Sequence, residues 1–172
     1  FIFLLAFSNL NYARQTITKA SSDQLLTQAD SLSAIDVKQA FIIVRSVLNE
    51  AEQVGDINLA TRVIQKPLYQ GNSDFFLEYV QAELKRKGLT LGEQIHLSHQ
   101  LMRYYVSVEA DFDLSFQYLV KLKSLLENKE SHVLYPCVMG DVYFIAYWIN
   151  QIQYDLVKAR EYAELMLQHP DK

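Results

Sequence analysis

Cysteine occurs once, proline three times and glycine five times in this 172-residue chain. A single cysteine excludes an internal disulfide framework, so the fold must be held by side-chain packing. Cys137 lies in the apolar run Val133-Leu-Tyr-Pro-Cys-Val-Met and reads as a buried thiol, with no base beside it in sequence to activate it. The scarcity of proline and glycine leaves long uninterrupted stretches. Period-two alternation is missing, as are Asn-Gly and Asp-Gly hairpin turns, which argues against strands. Excess charge of one sign is also missing: the formal net charge is only −4. The single basic cluster, Lys85-Arg86-Lys87, falls where a helix should end and where the helix dipole favours cations. Without a basic stripe, no nucleic acid is expected to bind this segment.

Chemistry-bearing motifs are equally scarce. There is no glycine-rich phosphate loop, no G-x-S-x-G nucleophile elbow and no HExxH metal helix. Glu93, His96 and His99 lie three residues apart on one helical stretch, and a surface-polar or capping role accounts for them better than a metal. Asp111 and Asp113 flank a turn, where helix capping explains them better than acid–base work. The segment is therefore expected to be non-catalytic, with no cofactor and no metal; any catalytic output domain would lie beyond Lys172. The apolar run Val133 to Ile149 is interrupted by Pro136, Gly140 and Asp141 and is expected to form a buried helix, not a membrane span.

What the chain has in quantity is helix-favouring residues, a 50% hydrophobic composition sufficient for one core, and an internal repeat. The repeat reads Asp36-Val-Lys-Gln-Ala40-Phe-Ile-Ile43, Asn72-Ser-Asp-Phe-Phe76-Leu-Glu-Tyr79, Asp111-Phe-Asp-Leu-Ser115-Phe-Gln-Tyr118 and Asp155-Leu-Val-Lys-Ala159-Arg-Glu-Tyr162. Its fifth position, at Ala40, Phe76, Ser115 and Ala159, recurs after 36, 39 and 44 residues. Periods in this range mark stacked arrays, in which each unit buries its apolar face against its neighbours.

Helix signals phase the array. Leu25, Leu26, Ala29 and Leu32 share one face of a first short helix, and Asp36 caps a second that stops at Gly55-Asp56. A third helix begins at Ile57 and should kink or stop early at Pro67, inside a stretch that would otherwise reach Tyr69. A fourth spans Asp74 to Lys87 and is closed by Gly88. Thr90 and Glu93 form a capping box for a fifth helix reaching about Glu109. A sixth covers Asp113 to Glu127, a seventh starts near Pro136, and an eighth covers Asp155 to Gln168. The predicted fold is all-α: eight helices in four antiparallel pairs, with units at residues 21–55, 56–88, 90–131 and 133–170 of a domain covering 19–172.

The segments Tyr69-Gln-Gly71-Asn72 with Phe76 and Glu78-Tyr79, and Lys158-Ala-Arg-Glu-Tyr162 with Met166 and Pro170, resemble the turn and second helix of a tetratricopeptide repeat. That family's unit is a helix pair of 34 residues with a small residue early in the second helix. Ala40, Ser115 and Ala159 fit that position, and Phe76 does not. The spacings here all exceed the family's period, and the family's Trp-Leu-Gly-Tyr signature is absent from the first helices. The resemblance implies an α-solenoid, a right-handed superhelix whose first helices line a groove for peptides or partner proteins. Counting from the fifth position puts Asn58, Thr61 and Gln65 of unit two on that groove. In unit three it puts Gln100 and Tyr104 there, and in unit four Asp141, Phe144, Trp148 and Gln151.

Phe1-Ile-Phe-Leu-Leu-Ala-Phe7 is unbroken apolar sequence, followed by the small residues Ser8 and Ala13. It resembles the back half of a signal-peptide core, so residues 1–13 are expected to be a truncated remnant of one and the domain to be exported or membrane-tethered. With no polar capping helix at its end, the array is expected to continue past Lys172. The resulting expectation is a protein- or peptide-binding domain forming the extracytoplasmic sensory or scaffolding part of a bacterial signalling protein. Its partners would be another protein or other domains of the same longer chain, and membrane contact would come only through a downstream segment. The alternative is a cytoplasmic adaptor or assembly chaperone in which Phe1 to Phe7 is a packing helix.

Overall fold

Asp36 accepts a hydrogen bond from the backbone N–H of Gln39 at 3.0 Å and so starts a helix in which apolar residues recur every three or four positions. In the computed structural model, which describes residues 22–69, 73–152, 160 and 164, this is one of seven helices. They are α1 (22–33), α2 (Val37–Val54), α3 (Ile57–Ile64), α4 (Ser73–Leu84), α5 (Leu91–Tyr104), α6 (Phe112–Leu126) and α7 (Tyr135–Ile152). Among the described residues there is no strand. No described helix is long and apolar enough to cross a membrane. The expected signal-peptide remnant, the turn at 70–72, Ala159 and most of the eighth helix lie outside the described residues.

The ends of the helices follow their local chemistry. Gly55 takes the left-handed conformation at φ +71° and closes α2, and Asp56 immediately caps α3 through the Leu59 N–H at 2.9 Å. α3 stops at Ile64, short of Pro67, because residues 65–69 leave the helix before the proline ring would clash with it. At the start of α5 the Thr90 hydroxyl accepts from Glu93 N–H at 3.1 Å, and the Glu93 carboxylate accepts from Thr90 N–H at 2.8 Å. Asp111 caps α6 through Leu114 N–H at 2.9 Å. Between α5 and α6 the chain widens into a π-helical turn, Tyr105–Glu109, which Ala110 closes at φ +54°.

Consecutive helices pack as neighbours: α2 on α3, α4 on α5, α5 on α6 and α6 on α7. α2 also reaches α4 and α5, while α3 touches α5 and α7. α1 is tied to α2 through Ser22–Glu50 (3.0 Å), to α3 through the Arg62–Asp23 ion pair and to the segment after α3 through Lys66–Asp30. The pairing of α3 with α4 that a unit at 56–88 implies is marginal, since these two helices are missing from the well-packed pairs. Phe76 of α4 is a related departure from the repeat pattern. At the position where a small residue would permit a close crossing, its ring fills the core between Phe41 (6.1 Å), Tyr69 (5.7 Å) and Tyr104 (5.1 Å). Ala40 and Ser115, the small residues at the matching positions, are fully enclosed, and the Ser115 hydroxyl donates to Met102 C=O at 2.9 Å.

Two polar clusters stitch the helices together at partly buried positions. Arg45 of α2 bridges Glu83 (2.5 Å) and Glu93 (2.9 Å), and Arg86 spans the same two carboxylates. Alternating charge of this kind spares either carboxylate from facing the other unscreened. On the far end of α2, the Glu52 carboxylate lies over Gly92 and meets His132 Nε2 at 3.1 Å. His132 Nδ1 accepts from Leu134 N–H at 3.2 Å, so its proton sits on Nε2 and points at Glu52.

Candidate functional site

The nine groove positions expected from the repeat register do not share one surface. Gln100 and Tyr104 are in the core, both fully enclosed. The Gln100 amide donates to Lys66 C=O at 2.7 Å and Ile64 C=O at 3.4 Å, and its oxygen accepts from Leu68 N–H at 3.2 Å. It therefore reads an extended backbone, as a groove amide would, but that backbone is the chain's own segment after α3. Tyr104 stacks among Tyr69, Phe76 and Tyr105, and its hydroxyl donates to Glu109 at 2.5 Å. Asn58 is exposed and Thr61 half-buried on α3. Gln65 lines a shallow space of about 560 Å³ between α1 and α3, beside Arg62, Lys66 and Pro67. The side chain of Gln151 lies outside the described residues.

The other three do converge. Asp141, Phe144 and Trp148 occupy positions three and four apart on α7, so they share a face of that helix. That face looks across at Arg103, Val106 and Ser107, and together they line a groove of about 270 Å³ whose floor is completed by Ile145. Phe144 is 55% exposed and Trp148 40%, high values for large aromatic rings that line one wall of a cleft. Phe112, at the start of α6, props the Trp148 ring edge-on at 5.7 Å. The π-helical turn supplies the opposite wall. By inserting extra residues per turn, it keeps Val106 inward while releasing Ser107 and Val108 to the surface.

The polar end of the groove is built by α5. His99 is fully enclosed, and its Nε2 meets Asp141 Oδ2 at 2.8 Å. Its Nδ1 is buried without a hydrogen-bond partner, so Nε2 is the ring nitrogen that engages the carboxylate. Arg103 Nη1 lies 3.7 Å from the same carboxylate oxygen. Burial by itself would raise the Asp141 carboxyl, but the His99 hydrogen bond and charge and the Arg103 guanidinium together hold it below its usual range. Asp141 is thus a carboxylate at neutral pH, with Oδ2 engaged and no hydrogen bond to Oδ1 among the described residues.

Of the residues that make this end, the sequence pointed to Asp141 alone. His96 and His99, read as surface-polar, are both buried. The available signal was the i, i+4 spacing of His99 and Arg103 on α5, which sets both on one face; the helix that opposes them was not legible from spacing. Among the described residues no group of three or more His, Cys, Asp or Glu side chains is placed to hold a metal ion. Compared with protein-family models, with curated proteins and with solved structures, the chain matches none.

Proposed function

We propose that this chain is a non-catalytic, tetratricopeptide-like helical repeat domain that binds a peptide or protein partner in the groove between α5 and α7. The observation that carries the reading is the pair of exposed aromatics, Phe144 and Trp148, lining a concave surface with a polar end. Aromatic side chains offered at the centre of a cleft are the usual anchors of an interface, because they bury much area for little lost rotamer freedom. The repeated pattern and the packing of neighbouring helices support the repeat-type architecture. The apolar segment Phe1 to Phe7 supports the extracytoplasmic sensory or scaffolding placement.

Selection of random peptides displayed on phage against the wild-type domain, followed by counter-selection on a Phe144→Ser variant, tests this. Peptides enriched on the wild type and lost on the variant are expected. Enriched peptides that bind both proteins alike would move the binding surface elsewhere and overturn the assignment.

A further inference from the structure

The α5–α7 groove carries two opposite charges at its polar end and apolar rings along the rest. Arg103 and Asp141 are partly exposed there, with side-chain accessibilities of 32% and 25%, and lie 3.7 Å apart. Their charges largely cancel for anything arriving from solvent. A carboxylate attracted to Arg103 would be repelled by Asp141, and an ammonium group attracted to Asp141 would be repelled by Arg103. A peptide unit meets neither conflict: its N–H can donate to the free oxygen of Asp141 while its C=O accepts from Arg103. Both protein groups are available for this. Among the described residues Arg103 makes no hydrogen bond, and Asp141 has His99 on one oxygen only.

The size of the groove sets the second requirement. At about 270 Å³ it lies just below the volume of typical small-molecule sites, which begin at roughly 300 Å³. That is room for one bulky side chain and its adjoining backbone.

We infer that the groove takes an uncharged stretch of polypeptide, with one large apolar side chain against Phe144 and Trp148 and its flanking peptide unit on Asp141 and Arg103. This rests on the reading of the groove as a binding surface, and it names the chemistry of the occupant. Recognition of this kind is steered by shape and burial more than by long-range charge, so added salt should weaken it little.

Trp148 is the only tryptophan in the chain, so its emission reports on the groove without labels. Three probes that share the phenylalanine side chain and at least one amide decide the matter, titrated at pH 6 so that the amine is protonated: N-acetyl-L-phenylalaninamide (neutral), N-acetyl-L-phenylalanine (anion) and L-phenylalaninamide (cation). Titrated into the full chain, the neutral probe is expected to change Trp148 emission saturably with a Kd on the order of 1 mM, as befits a ligand of this size. Each charged probe should bind at least about threefold more weakly. In Arg103→Gln, which leaves Asp141 unbalanced, the preference should move to the cationic probe. Tightest binding by a charged probe to the wild type, or equal binding by all three, would overturn the neutral occupant while leaving the groove as a binding surface. No saturable response to any probe would overturn both.

Discussion

His96 shows how much a single enclosed side chain can set. Its ring packs 5.6 Å from Phe41 and lies 3.5 Å from the Gln100 amide. Burial first, then the positive fields of His99 and Arg45, push its pKa down from 6.5 to about 3. The unfolded chain therefore binds a proton at His96 between those values and the folded chain does not. The stability linked to this residue is fully present above pH 6.5 and falls as the pH drops towards 3, by at most ~1.4 kcal/mol per pH unit. Near pH 5 the loss should be about 2 kcal/mol. Asp141, lowered from 3.8, adds a loss of the same sign at still lower pH. Glu52, raised from 4.5 chiefly by burial, acts in the opposite direction, because its folded form holds the proton longer. Urea midpoints measured from pH 7 to 4 should show the His96 slope in the wild type and lose about one proton's worth of it in His96→Leu. An unchanged slope in that variant would place the acid sensitivity elsewhere.

At the scale of the elements, the helices are short and their ends matter. Gln100 holds the end of α3 and the extended segment after it by three backbone hydrogen bonds, one to Ile64 and two to Lys66 and Leu68. Gln100→Leu would leave Leu68 N–H buried and unpaired and take its partner from the half-buried Lys66 C=O, so we expect about 2 kcal/mol of destabilisation by denaturant titration, with early hydrogen exchange at the Leu68 amide. Gly92 permits the close approach of Glu52: a Cβ there would lie 2.0 Å from the carboxylate oxygen. Because that carboxylate ends a flexible side chain, Gly92→Ala should displace it and release His132, costing only about 1 kcal/mol. A thermal scan on the variant should show a small fall in Tm; a collapse of the fold would mean that α5 itself had been displaced.

The same scale shows what was legible from residues alone. Asp36, Gly55, Pro67, Thr90 with Glu93, and Asp111 each carry a local backbone requirement, and each marks a boundary within a few residues of the observed one. The repeat itself assigned its fifth position to packing between helices, and Ala40, Phe76 and Ser115 are buried there. The π-helical turn at Tyr105–Glu109 left no trace in the pattern, because one added residue shifts the phase no more than an ordinary irregularity would. The burial of His96 and His99 was missed for a related reason. Every residue from Gly92 to Met102 except Gln94 is buried, so α5 is surrounded by other helices and has no polar face to read.

For the whole molecule, the groove register transferred poorly from helix to helix. It presumed that α3, α5 and α7 present equivalent faces in a regular stack. α3 and α4 are not a well-packed pair, the segment after α3 lies against Gln100, and α3 reaches across to α7. The face of α5 that a partner would have met is thereby taken by the chain itself, and only the α7 positions remain open. Phe144 is more exposed than Trp148 (55% against 40%), so Phe144→Ser should cost only about 1 kcal/mol of stability. That separation of binding from folding allows a clean decision. The most direct measurement is the Kd of a display-selected peptide for the wild type and for Phe144→Ser, with Tm recorded for both. The account predicts at least a tenfold loss of affinity, about 1.4 kcal/mol, with a Tm lowered by no more than about 4 °C. Equal affinity for the two proteins would contradict it.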